Sequence, residues 1–451
     1  MTKKVFFESE TIKKIVDRAS MFSSDSNAQV TLSFGKNVND TAFLNTMSIL
    51  SGTEQLQFAF TTPVPADYEA VYEGEGEQKV LVPYMTETFK VADFLGTVGN
   101  LLSMNEMLYL EKKDSGLIIV GAKDNTVKLQ LEALAPEQLG MPLMIDRTKL
   151  LSQMQFEVPS FLEALRTGGC MVHSNADEAH GMGNILLAMQ YESKENAKVE
   201  GLLKIYSTNG TSMSRGQCKA IFVEDSQIHA NLAKFMEEKN VKGYMAGIPK
   251  KSQTKLLKLV KDASTCSMMA SDKHICAAIG SDTMFTFIQG ANITTMVFKA
   301  DELQKQEKSG FSIVCDTEEL KGKVDILKSI SSYKKCICNL LLTITDKAIT
   351  LEVSGKKDLG TVKVTLSKSS VEKGNKVKVY FDGDKLSSVV GALKKGNLTI
   401  GCAQEAEYIA YPVQFTNGDN ANTSTEVVFV APVNGPKTKE TEAEAEGVTE
   451  E

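Results

Sequence analysis

Six lysines and no acidic residue fall between Lys242 and Lys261. Ammonium groups clustered this way neutralise phosphates, and phosphate contacts position a nucleic acid without reading its sequence. In GIPKKSQTKLLKLVKD, Leu256, Leu257, Leu259 and Val260 share one half of a helical wheel while Lys251, Lys255 and Lys258 line the opposite edge. One face suits a core and the other suits anions. The division recurs in TIKKIVDRAS, where Ile12, Ile15, Val16 and Ala19 form a stripe and Lys13, Lys14 and Arg18 lie away from it. Further on, Lys321 and Lys328 flank a stripe of Leu320, Val324 and Leu327, and Lys394 lies opposite Leu386, Val389, Val390 and Leu393. A solvated outer face explains the lysines of any single helix; repetition over several helices points to one shared anion.

Catalytic chemistry has little to build on. The histidines are His173, His180, His229 and His274, and His173 and His180 bracket Asp177 and Glu178 in a loop-like run, SNADEAHGMGN. A metal-dependent enzyme is the reading this run would support, and it is an alternative rather than the expectation. No phosphate-binding loop, nucleophile elbow or dinucleotide fingerprint follows a strand. The eight cysteines are scattered, and the one close pair, Cys336 and Cys338, is a C-x-C on a strand-like run that sends its side chains to opposite faces. They read as buried, reduced thiols, so no catalytic residue, metal site or cofactor is assigned.

The elements that must position the lysines follow one pattern. A strand, a helix and further strands recur about six times, at intervals of roughly 65 to 80 residues, longer than ordinary solenoid repeats. The fold class is therefore α+β, with paired units making three similar domains at 1–134, 142–300 and 305–433. Residues 434–451, ending KETEAEAEGVTEE, read as a disordered acidic tail. The whole chain of 451 residues carries a net charge of -7, so any basic surface must be segregated. No apolar run reaches the roughly 18 residues of a membrane span, and MTKKVFFESET shows no signal-peptide core, so a cytoplasmic protein with no membrane partner is expected. Six such units could close head to tail into a ring with a basic helical inner wall. A structural or assembly protein of repeated α/β units, with no DNA inside, is the competing reading.

Three segments carry a resemblance. GIPKKSQTKLLKLVKD followed by SMMASDKHICAAIGSDTMFTFIQG resembles the end of the second domain of the bacterial sliding clamp, the beta processivity subunit of the replicative DNA polymerase. KIYSTNGTSMS is similar to that family's A-T-D-G-H-R-L turn, and VVFVAPV is similar to its Y-V-V-M-P-M ending. Their order and spacing match, and the resemblance covers residues 3–433. It implies the DNA-clamp fold: a homodimer of three-domain protomers around duplex DNA, helices lining the hole and sheets outside, with no enzymatic activity of its own. It also implies the replicative polymerase and a clamp loader as partners, and a hydrophobic cleft between the second and third domains. Carried over by position, Thr208, Gly210, Met213, Pro249, Val430, Pro432 and Val433 would line that cleft. The family's His-Arg is replaced here by Thr211 and Ser212, Asn209 stands for Asp, and Ala431 and Val433 replace methionines. A divergent bacterial, plasmid or phage clamp fits this pattern.

Overall fold

The computed structural model describes residues 3–36, 42–61, 71–73, 80–82, 85–102, 107–113, 115–124, 126–172, 183–191, 198–223, 225–241, 244–290, 302–306, 308–333, 338–354, 360–374, 376–393, 396–417 and 426–433. Six units run along the chain, each a strand, a helix and three strands. The first is β1 (Lys3–Glu8), α1 (Ser9–Ser20), β2 (Gln29–Lys36), β3 (Ala42–Ser51) and β4 (Glu54–Thr61). After the small hairpin β5 (Val71–Glu73) and β6 (Val80–Val82) comes the second: β7 (Met85–Lys90), α2 (Val91–Leu102), β8 (Met107–Lys112), β9 (Ile118–Ala122) and β10 (Lys128–Leu131). The third is β11 (Ser152–Phe156), α3 (Val158–Gly168), β12 (Asn184–Tyr191), β13 (Lys198–Thr208) and β14 (Met213–Val223). An additional helix, α4 (Ser226–Lys239), precedes the fourth: β15 (Met245–Pro249), α5 (Lys250–Val260), β16 (Cys266–Ala270), β17 (His274–Ile279) and β18 (Thr283–Ile288). The fifth holds β19 (Phe311–Asp316), α6 (Thr317–Tyr333), β20 (Asn339–Ile344), β21 (Ile349–Ser354) and β22 (Thr361–Leu366), followed by β23 (Ser369–Lys373). The sixth closes with β24 (Val377–Asp382), α7 (Gly383–Ala392), β25 (Asn397–Cys402), β26 (Val413–Asn417) and β27 (Val427–Val430).

Units pair by exchanging their first strands. β1 joins β8 and β7 joins β2; β11 joins β16 and β15 joins β12; β19 joins β25 and β24 joins β20, all antiparallel. Each pairing brings two helices together, α1 with α2, α3 with α5, and α6 with α7. The local sequence explains the helices. On α5, Leu256, Leu259 and Val260 are buried while Lys251 and Lys258 are exposed, the amphipathic split read from the wheel. Pro249 caps the start of the helix and ends β15, with φ at -59°, a value suited to leading into a helix. On β24 burial alternates along VKVYFD, the mark of a strand with one face in the core.

The pairs are joined by two further seams of the same kind. β4 of the first unit pairs with β18, the last strand of the fourth, through Thr283 opposite Phe58. β14 of the third unit pairs with β27, the last strand of the sixth, through Met213 opposite Phe429. One apolar core runs through the first four units, whereas the fifth and sixth have their own, which also takes in Met171. No helix among the described residues is long and apolar enough to cross a membrane.

Candidate nucleic-acid interface and partner cleft

The lysine faces separate into free and tied groups. Lys13, Lys14, Lys251, Lys258 and Lys321 are exposed on α1, α5 and α6, and among the described residues only Lys14 of these five forms an ion pair, with Glu10 at 3.8 Å. Such an exposed helical pair contributes a few tenths of a kcal/mol and leaves the charge available.

The structure removes Lys255 from the anion-facing set. Its Nζ forms an ion pair with Glu54 at the start of β4, and the side chains are only 14% and 1% exposed. Ser252 Oγ donates to the other Glu54 oxygen at 2.8 Å, and the ammonium lies 4.4 Å from the centre of the Phe22 ring. Burial pushes the Lys255 ammonium down to about 8. Its work is to lock the seam between the first and fourth units. Arg18 is half-buried at the same seam, where burial lowers its pKa and Asp282, Asp17 and Asp262 oppose that shift. Lys328 bridges α6 to α7 through Asp384 at 2.9 Å. A helical wheel turns Lys255 and Arg18 outward because it cannot see a partner on another element; the Lys328 pair, with Asp384 85% exposed, is a surface one that leaves its charge available. Lys394 lies outside the described residues.

The second seam contains the residues expected of a cleft. The turn from β13 to β14 spends its polar groups on itself: Thr208 Oγ1 donates to Ser212 O at 2.8 Å and accepts from Gly210 N at 3.0 Å, while Asn209 Oδ1 accepts from Ser212 N at 2.8 Å. Gly210 has φ at +91°, a conformation costly for any residue with a Cβ. Thr211 and Ser212 are tied to the last unit, Thr211 by Lys385 Nζ at 2.9 Å and Ser212 Oγ by Ala431 N at 3.4 Å. On β12, Leu186 faces Tyr206 on one side and Gly247 on the other. Thr208 and Pro249 therefore lie two residues further along, at the same end of the sheet.

The apolar patch at this seam consists of Leu186, Ala188, Tyr206, Leu303, Val427 and Phe429, with Met213 and Met245 half-exposed at its edge. The inclusion of Val430 is corrected by the geometry. Val430 is 0% exposed and packs with Val428 in the core of the last two units, on the opposite face of β27 from Phe429. Val433 is half-buried, and its N–H donates to Tyr380 O at 2.9 Å; Pro432 is also half-buried. Sequence reasoning passed over Leu186, Tyr206, Met245, Leu303 and Phe429. The available signal was the period of two, which puts 186, 206 and 429 on the face away from the helices.

Below the patch sits a buried acid. Glu426 is 5% exposed and accepts from Thr167 Oγ1 at 3.1 Å and from Asn417 Nδ2 at 3.2 Å. Burial, then the nearby Glu163 charge, pushes its carboxyl up to about 7. Polar bonds also run from Met171 N to Ser207 Oγ, across to Ser214 Oγ, and from there to Gly168 O. His173 and His180 lie outside the described residues, as does Cys336. No disulfide joins the seven described cysteines, and burial pushes the Cys170, Cys218, Cys266 and Cys315 thiols up to about 12, far from a reactive thiolate.

Six units in three pairs, seamed end strand to end strand, define a clamp architecture. Among solved structures, the beta sliding clamp of C. crescentus aligns over 96% of this chain and 100% of its own, with a TM-score of 0.66 and 12% identity. The DNA polymerase sliding clamp of Bacillus subtilis aligns over 97% and 100% (TM-score 0.66, 11% identity), and the DNA polymerase III beta subunit of Borrelia burgdorferi over 96% and 99% (TM-score 0.69, 10% identity). The fold is that of the bacterial DNA polymerase III beta sliding clamps, reached with very different residues. No family model and no curated protein matches the sequence.

Proposed function

We propose that this protein is a processivity clamp: a ring that encircles duplex DNA and tethers a replicative polymerase, without catalytic activity of its own. The supporting observation is the alignment of nearly the whole chain with complete sliding clamps. Its three clamp domains would span 1–134, 142–300 and 305–433. The exposed Lys13, Lys14, Lys251, Lys258 and Lys321 would meet phosphates, giving weak contacts that permit sliding. Partner proteins, polymerase and clamp loader among them, would anchor an apolar peptide on Phe429, Tyr206 and Met213.

The seams support ring closure. Each seam joins the last strand of an odd-numbered unit to the last strand of an even-numbered one: β4 to β18 and β14 to β27. The remaining strands of that kind are β22 and β10, each at the edge of its own four-stranded sheet among the described residues. A second copy would satisfy both, β22 of one protomer pairing with β10 of its partner at two sites. Small-angle scattering with sedimentation tests this. A dimeric ring with a hole wide enough for duplex DNA is expected, and a compact monomer at micromolar concentration would overturn it.

A further inference from the structure

The apolar patch continues further into the last unit than its exposed rim. Met213 lies opposite Phe429, Phe429 opposite Gln414, and Gln414 opposite Gly401, so one row crosses four strands on one sheet face. The chain itself covers the Gln414 end of that row. Leu303, on a helical turn at 302–305, is 9% exposed and packs among Tyr206, Leu186 and Phe429. Gln306 accepts from Tyr411 OH at 3.1 Å, and Ser309 Oγ donates to Ala403 O at 2.6 Å. Lys308 lies so close over Gly401 that a Cβ there would sit 2.5 Å from its Cδ.

The cover does not satisfy what lies beneath it. Gln414 is 4% exposed, and its Nε2 has no hydrogen-bond partner among the described residues. A buried amide donor left unpaired destabilises the closed arrangement. A small cavity borders it, lined by Leu303, Gln306, Cys402, Tyr411, Gln414 and Phe429. The floor therefore offers an apolar seat, filled by Leu303, next to an idle donor.

We propose that the segment carrying Leu303, Gln306 and Lys308 is a built-in latch, and that a partner peptide displaces it by bringing an apolar side chain next to a hydrogen-bond acceptor. The apolar side chain takes the Leu303 seat, and the acceptor, a side-chain carbonyl, takes the Gln414 amide. This rests on the reading of the Met213–Phe429 patch as a partner cleft. The latch lowers apparent affinity by the fraction of time it is closed, so removing it strengthens binding.

The test uses the full-length protein and two fluorescein-labelled octapeptides, Ser-Gly-Asn-Leu-Gly-Leu-Gly-Ser and the same peptide with Ala for Asn. Anisotropy is expected to show Leu303→Ala binding the Asn peptide about tenfold more tightly than the unaltered protein. Gln414→Leu should abolish the preference for Asn over Ala. Amides of residues 303–306 should lose hydrogen-exchange protection when peptide binds, a readout that does not depend on any variant folding. Equal or weaker binding by Leu303→Ala, with Met213→Glu still abolishing binding, would overturn the latch and leave the cleft standing. Binding unaffected by Met213→Glu, or no binding by any form, would overturn both.

Discussion

Replacing Lys255 by Met tests whether this lysine holds a seam or faces DNA. The substitution keeps the chain length and removes the charge, leaving the Glu54 carboxylate, 1% exposed, with the Ser252 hydroxyl as its remaining side-chain partner among the described residues. Breaking a buried pair from one side costs about 3–5 kcal/mol, because the other charge stays desolvated. An exposed pair would cost under about 1 kcal/mol. The loss should be local, since Glu54 opens β4 and lies opposite Phe287 of β18. At the lower figure, exchange of β4 and β18 amides should quicken by on the order of 10²-fold, while α6 and α7 amides keep their rates. The double variant Lys255→Met, Glu54→Leu should recover most of the loss, because neither buried charge remains. Unchanged exchange at β4 and β18, together with weaker DNA retention, would refute the reasoning and return Lys255 to the phosphate-facing set.

Glu426→Gln should stabilise the second seam above neutral pH. The folded pKa is raised from 4.5 to about 7, so the folded state holds an extra proton between those values and stability falls as pH rises through them. The variant should lack that fall and gain up to about 3 kcal/mol at pH 8, read from urea midpoints at pH 4 and pH 8; parallel pH profiles would count against it. Gly216→Ala should cost about 2–3 kcal/mol, since its Cβ would sit 2.1 Å from Ala164 O and force α3 off β14. Gly96→Ala on α2, with nothing within 4 Å, should leave stability equal or raise it by up to about 1 kcal/mol, both glycine variants being read from thermal melts. Changing Lys13, Lys14, Lys251 and Lys258 together to Ala should flatten the salt dependence of DNA retention by up to about four logarithmic units per decade of salt, with melting unchanged.

The local elements were legible because their signals are local. The apolar stripes of α1 and α5 are each written within a few residues. The seams were not legible. Lys255 and Glu54 are 201 residues apart in sequence, and no periodicity on α5 distinguishes the lysine that turns toward β4 from Lys251 and Lys258, which do not. The proposed cleft was half legible for a similar reason. The Asn209–Gly210 turn is a sequence signal, but whether Phe429 or Val430 faces the patch depends on the register of β27 against β14. Leu303 has no local signature, because its partners come from β12, β13 and β27.

The central claim is topological, and its most direct measurement compares DNA forms. Protein loaded on nicked circular duplex should remain through a gel-filtration column at moderate salt and elute free once a restriction enzyme linearises the circle, because a ring slides off an end. Equal retention on circular and linear DNA would contradict an encircling clamp and point to ordinary surface binding.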